Sequence, residues 1–231
     1  MNPDTLDDEM KGIFDRADEL TQNLAQEYQA CAQQTEVSER AKNLFHEVLI
    51  KLRSALDFAM NRIYCKYTTL QGKNKTKQEH SAGFPIFENR KDFAKKLKGL
   101  GLSHLETDNP DLYGKLLKPQ PFETGTQKLI EFRNLSNLGK HVKLARQDCK
   151  VQNAKKITAP NGVVTISTGA SGCFDKQGKP VDPGPDYKVE EINLATFSLS
   201  HQSKELWEPW FFCRELCLDT RRYIESLLLL I

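Results

Sequence analysis

No run of apolar side chains in this chain of 231 residues exceeds the five from Leu227 to Ile231. A helix needs ~20 to cross a bilayer, so no membrane span is expected. The first residues, MNPDTLDDEMKGIF, are acidic and polar. They lack the basic flank and apolar stretch of a secretory signal, and a cytoplasmic location is the expectation. Cysteine is scarce: six residues, none in a CxxC pair. Reduced thiols are the natural state in that compartment. Cys213 and Cys217 lie one helical turn apart, but no His or further Cys pair stands nearby to complete a zinc set. Small buried side chains are the expected role of both. The phosphate loop GxxxxGK[ST], the elbow GxSxG, the zinc helix HExxH and the dinucleotide loop GxGxxG are all missing. No metal and no cofactor are expected. Repeats at solenoid periods are missing too.

What is present suits a folded domain. Hydrophobic residues make up 39% and charged residues 28%, too apolar a mixture for wholesale disorder. The length buries a sizeable core and fits one medium domain, or a domain with an appendage. Leu6, Met10, Ile13, Phe14, Ala17, Leu20, Leu24 and Tyr28 recur at three and four, which predicts a first helix over residues 4–34. Ala41, Leu44, Phe45, Val48, Leu49, Leu52, Ala55, Leu56, Ala59, Met60, Ile63 and Tyr64 keep the same spacing. That predicts a long amphipathic helix over 39–66, with the first helix as an antiparallel partner. Residues 67–82 are polar and lysine-rich and read as an exposed loop. Phe84-Pro85-Ile86-Phe87 is a short apolar anchor in which Pro85 forbids helix. Short helices follow over 89–100 and 111–117. A third major helix is expected over 124–146, capped by Thr124 or Thr126 and apolar on most sides.

Beyond residue 150 the pattern changes. Asn161-Gly162 between two β-branched stretches predicts a hairpin, and the alternation from Tyr187 to Ser200 predicts a long strand. A final helix starts near Ser203 or Pro209, the latter suited to a first turn. The expected fold class is α+β: a predominantly helical bundle (1–149), a small antiparallel sheet packed on it (150–202) and a C-terminal helix completing the bundle (203–231). The apolar C-terminal end favours a dimer, because such a tip is costly to leave in water.

Charge is balanced overall, with 33 Lys+Arg against 31 Asp+Glu, but segregated along the chain. Residues 1–36 hold nine acids and two bases; residues 66–98 hold nine bases and three acids; residues 133–156 hold seven bases and one acid. The two basic stretches are candidates for a phosphate-facing surface, or they face the acidic first helix and solvent.

One polar constellation interrupts the third helix. Asn134, Asn137 and His141 differ by three and four and share a face, with Arg133 and Lys140 beside them. Buried polar groups need partners, and the loop after Pro85, the strands or a ligand can supply them. In a structural reading these side chains tie irregular backbone to the core. In a chemical reading His141 shuttles a proton while Arg133 and Lys140 stabilise charge on a phosphodiester, with no metal. On the long helix, Arg53 and Asp57 are four apart and can pair, in a polar row with His46 and Asn61.

The order Leu52-Arg53-Ser54-Ala55-Leu56-Asp57, Phe84-Pro85-Ile86-Phe87, Gln120-Pro121 and Asn137-x-x-Lys140-His141 resembles a widespread group of uncharacterised bacterial proteins over roughly residues 40 to 200. Phe58 stands where that group often has His, and Val142 where it often has Arg. The helical part is more distantly similar to HEPN domains, bundles found in toxin–antitoxin, abortive-infection and RNA-processing proteins. Active HEPN ribonucleases carry an R-x4–6-H motif. Here seven residues separate Arg133 from His141, and six separate Asn134 from it.

The resemblance implies a HEPN-like module that binds RNA or a protein partner in bacterial stress or phage defence. The first alternative is a metal-independent endoribonuclease using His141, Asn134 and Arg133, with Asn137, Lys140, Arg53 and Asp57 binding. The second is a structural or small-ligand domain. Fold analogy alone decides none of these.

Overall fold

The computed structural model describes residues 8–34, 36–79, 82–138, 146–160, 164–168, 173–174, 180–181, 186–201, 204–205 and 209–231. The chain is a helical bundle with a small antiparallel sheet placed before the last helix. It divides into two compact units. One comprises Met1–Ala25, Glu39–Ala145 and Trp210–Ile231; the other comprises Gln26–Ser38 and Arg146–Pro209.

Helix α1 (Asp8–Gln34) contributes to both units. In the first unit, its predicted stripe of Met10, Phe14, Ala17, Leu20 and Leu24 is buried. Helix α2 (Glu39–Tyr67) buries all twelve apolar positions expected from its periodicity, and His46 as well. Helix α3 (Gly72–Glu79) occupies a stretch expected as loop and buries no side chain. The absence of an apolar stripe hides it from any periodicity argument. It is held instead by polar side chains of α2: the Tyr64 hydroxyl donates to Lys75 O at 2.7 Å, and Asn61 Nδ2 donates to Glu79 O at 3.1 Å.

Helix α4 (Arg90–Gly99) starts at Asn89, whose side chain accepts from Asp92 N at 2.9 Å and donates to Asp92 Oδ2 at 2.8 Å. The short α5 (Leu105–Asp108) leads into α6 (Pro110–Leu117), where Asn109 accepts from Leu112 N at 3.2 Å and Pro110 takes the first turn. Then α7 (Pro121–Thr124) and α8 (Lys128–Leu138) stand where one helix from residue 124 is expected. Gly125 makes the break. It adopts φ +68°, its N–H closes the α7 turn on Pro121 O at 2.8 Å, and Thr124 Oγ1 accepts from Thr126 N at 3.2 Å. Left-handed backbone ends a helix, and glycine adopts it at no steric cost. The threonines expected as caps are part of that turn. Helix α8 packs against α2 with Ile130, Phe132 and Leu135 buried, which matches its reading as a central helix.

Helix α9 (Pro209–Leu228) closes the bundle from its expected proline. Against α1 it sets Arg221 on Asp18 at 2.8 Å and over the Phe14 ring at 5.1 Å. Against α2 it sets Phe212 on Phe45, ring centroids 6.5 Å apart. Among the described residues, no helix is long and apolar enough to cross a membrane.

In the second unit, strand β1 (Arg146–Thr158) pairs with β2 (Val164–Thr168) across the predicted hairpin, Thr158 opposite Val164. Strands β3 (Cys173–Phe174) and β4 (Pro180–Val181) form a separate pair. Strand β5 (Lys188–His201) is the predicted long strand and pairs with β1 along its whole length; β6 (Lys204–Glu205) adds an edge, giving the order β2-β1-β5-β6. The register sets Lys155 opposite Glu191 and Lys156 opposite Glu190. The last turns of α1 belong here through the buried Tyr28, whose hydroxyl donates to Gln147 Oε1 of β1.

Two further findings are testable. Thr68 Oγ1 donates to Leu100 O at 2.8 Å and Thr69 N to Gly101 O at 3.1 Å, latching the α2–α3 link to the end of α4. Gly101 has φ +68°, and a Cβ there would lie 2.9–3.0 Å from Leu70 Cγ, Thr68 Oγ1 and Thr69 Oγ1. Gly101→Ala is expected to destabilise by about 2 kcal/mol or more. Gly114→Ala, in open space within α6, should be neutral or stabilise by up to about 1 kcal/mol; urea midpoints check the pair. Burial also raises the Cys213 thiol well above its ordinary value and takes Cys217 to about 11. Partial burial and Glu79 raise the Cys65 thiol as well, but it is exposed, so alkylation of the native protein at mild alkaline pH should modify Cys65 and spare both until denaturant is added, as read by mass spectrometry.

Candidate functional site

The polar residues of α2 and α8 converge on the segment 82–87, which belongs to no helix or strand. Phe84, Pro85 and Ile86 are buried. Their backbone groups lose water and must find partners in the protein. Asp57 Oδ1 accepts from Phe84 N at 2.8 Å, and Arg53 Nη2 donates to Phe84 O at 2.9 Å. Arg53 and Asp57 are also paired with each other, Nε to Oδ2 at 3.1 Å and Nη2 to Oδ1 at 3.0 Å. Gln120, fully buried, donates from Nε2 to Pro85 O at 2.8 Å and to Leu116 O at 3.1 Å. Its Oε1 accepts from Phe87 N at 3.2 Å. Arg133 of α8 donates from Nη1 to Ile86 O at 2.9 Å and meets Glu88 Oε1 at 3.3 Å.

Four side chains from three places in the sequence thus form a clamp on one irregular segment. Gly83 allows the close approach, since a Cβ there would sit 3.2 Å from Asp57 Oδ1 and 3.3 Å from Arg53 Nη2. The ammonium of Lys96 lies near this pair. Burial lowers its pKa, Asp57 opposes the shift and Arg53 adds to it.

The expected site residues therefore separate. Arg53, Asp57 and Arg133 come together, and the loop beyond Pro85 is the partner that meets Arg133. Half-buried Asn134 supports Arg133, its Oδ1 accepting from Nη2 at 3.3 Å. Asn137 is exposed at the end of α8. Lys140 and His141 lie outside the described residues. The row on α2 is not a uniform surface stripe. His46 is buried, with its pKa lowered by that burial, while Asn61 serves the last turn of α3. Gln120 has the most bonds to the clamped segment, and the sequence marks it only as part of the Gln120-Pro121 motif. Its signal is a lone polar side chain between Pro119, which follows α6, and Pro121, which opens α7.

A second feature lies on the other side of α4. Its buried face is Phe93 and Leu97, and Phe93 packs edge-on to Tyr113 and Phe122. Lys91, Lys95 and Lys98, spaced at four and three, are all exposed. Lys73 and Lys77 of α3 are also exposed. Gln78 of α3 and Asp92, Lys95 and Lys96 of α4 line one cleft of about 340 Å³, with Phe87 in its wall. Among the described residues, no cluster of His, Cys, Asp and Glu could hold a metal ion.

No family model, no curated protein and no solved structure matches this chain.

Gln120→Leu keeps the bulk but leaves Pro85 O, Leu116 O and Phe87 N without these bonds. It should cost at least about 2 kcal/mol in a denaturant titration. Asn137→Ala, at an exposed position, should stay within about 0.5 kcal/mol of the parent protein.

Proposed function

We propose that this protein is a HEPN-like helical module that binds RNA through the lysine face of α3 and α4. The observation that carries the reading is the row of exposed Lys91, Lys95 and Lys98 on α4, together with exposed Lys73 and Lys77 on α3. Among the described residues, none of these five ammonium groups is in an ion pair. Exposed lysines outside ion pairs on two short helices make a net positive field. Phosphates that enter it release their counterions, which favours binding without reading sequence. Both helices are held by polar bonds, α3 from Tyr64 and Asn61, and α4 through Thr68 and Thr69. The face is thus preorganised for a partner. The clamp supports this reading from behind, because residues 82–87 connect α3 to α4 and their path is fixed by Arg53, Asp57, Gln120 and Arg133.

The test is fluorescence anisotropy of a labelled single-stranded RNA with the full chain across a salt series. Five lysines at the interface give a slope of about −3.5 in log K against log salt, or roughly 100-fold weaker binding from about 50 to 200 mM. The variant carrying Lys91→Glu, Lys95→Glu and Lys98→Glu should lose most of the affinity and keep its melting temperature. Salt-insensitive binding, or binding that the triple variant retains, overturns the reading. A chain that ignores RNA and travels instead as a stable complex with an acidic protein overturns it too.

A further inference from the structure

Within the first unit, α2, the clamped segment, the turns around α7, α8 and α9 line a partly open cavity of about 220 Å³. Its walls are Leu56, Phe84, Leu129, Leu216 and the ring of Tyr223. Phe84 and Tyr223 meet edge to face, centroids 5.6 Å apart. At the rim, Lys128 Nζ pairs with Asp219 Oδ2 at 2.5 Å. The cavity's charged groups therefore neutralise each other. The Tyr223 hydroxyl is already used, donating to Lys115 O at 3.1 Å, and burial raises its pKa, so it stays a neutral phenol.

One wall residue offers a polar group. Thr220 is only 6% exposed and lines the cavity, yet its hydroxyl makes no hydrogen bond among the described residues. The other buried threonine, Thr21, binds its own helix at Ala17 O, 2.8 Å away. A hydroxyl that faces the cavity can both donate and accept. The cavity thus combines apolar and aromatic walls, no net charge and one open polar group. An apolar cavity of about 150 Å³ holds benzene; one half as large again has room for roughly nine non-hydrogen atoms. Aromatic walls meeting edge to face favour an aromatic occupant.

We propose that this cavity is a binding site for a neutral bicyclic aromatic molecule with a single hydrogen-bonding group, which meets Thr220. The site is distinct from the lysine face and does not rest on the RNA reading. Occupancy places the ligand against Phe84, the first of the clamped apolar residues.

The probes are indole and its hydrocarbon counterpart indene, titrated into the isotope-labelled full chain and followed by amide NMR shifts. Indole should bind saturably with a Kd below about 1 mM and shift resonances of α8 and α9. It should bind about five- to tenfold tighter than indene, the factor expected for one hydrogen bond. Thr220→Val keeps the shape and should erase that preference while indene binding stays. Leu129→Trp should fill the space and abolish binding of both. No saturable shift with indole in the parent protein overturns the proposal, as does an indole preference that survives in Thr220→Val. The parent protein's own preference between the two probes serves as the test if the tryptophan variant fails to fold.

Discussion

A buried peptide group that is part of neither helix nor sheet has to be hydrogen-bonded by something, and around Pro85 that requirement organises the first unit. The proline prevents helix, and the apolar side chains on either side draw the segment inward. Water is thereby removed from carbonyls and amides that secondary structure would otherwise satisfy. Two guanidinium groups, a carboxylate and an amide take its place, and each comes from a different turn of the bundle. Arg133 of α8 and the Arg53–Asp57 pair of α2 have one explanation. Each is a partner for backbone that could not otherwise be buried.

The clamp also separates two uses of positive charge. Arg53 and Arg133 face inward and are occupied by carbonyls and carboxylates. Arginine suits that task because its donors are fixed in a planar fork. Lys73 and Lys77 of α3 and Lys91, Lys95 and Lys98 of α4 are exposed on flexible stems. A net charge of +2 averages these two populations with the acidic side of α1. It says little about the field that any one face presents.

Where side-chain period reports burial, the sequence was legible. The apolar positions of α2 and the stripe of α1 are buried as spaced, and the long strand and the hairpin around Asn161-Gly162 pair as their alternation and turn require. It was illegible where polar contacts or a single torsion decide. Helix α3 has no apolar residue to mark it, and its docking depends on Tyr64 and Asn61 some distance back in the chain. The split between α7 and α8 turns on Gly125, whose positive φ no window of hydrophobicity registers. In the candidate site, Arg53, Asp57 and Arg133 were visible as polar residues on apolar helices. Their common target was not, because three separated segments meet only in the folded chain.

The order of segments in the first unit bears on how the protein is made. That unit needs α9, yet α9 follows the whole sheet-forming stretch in the chain. A nascent chain therefore completes the strands before Phe45 of α2 meets Phe212, and before Phe14 of α1 meets Arg221. Until α9 leaves the ribosome, the apolar faces of α1 and α2 have lost one of their covers, and exposed surface of that kind attracts chaperones and aggregation alike. Synthesis at ~5–20 residues per second sets how long that interval lasts, which makes the strand segment a timer for closure of the bundle.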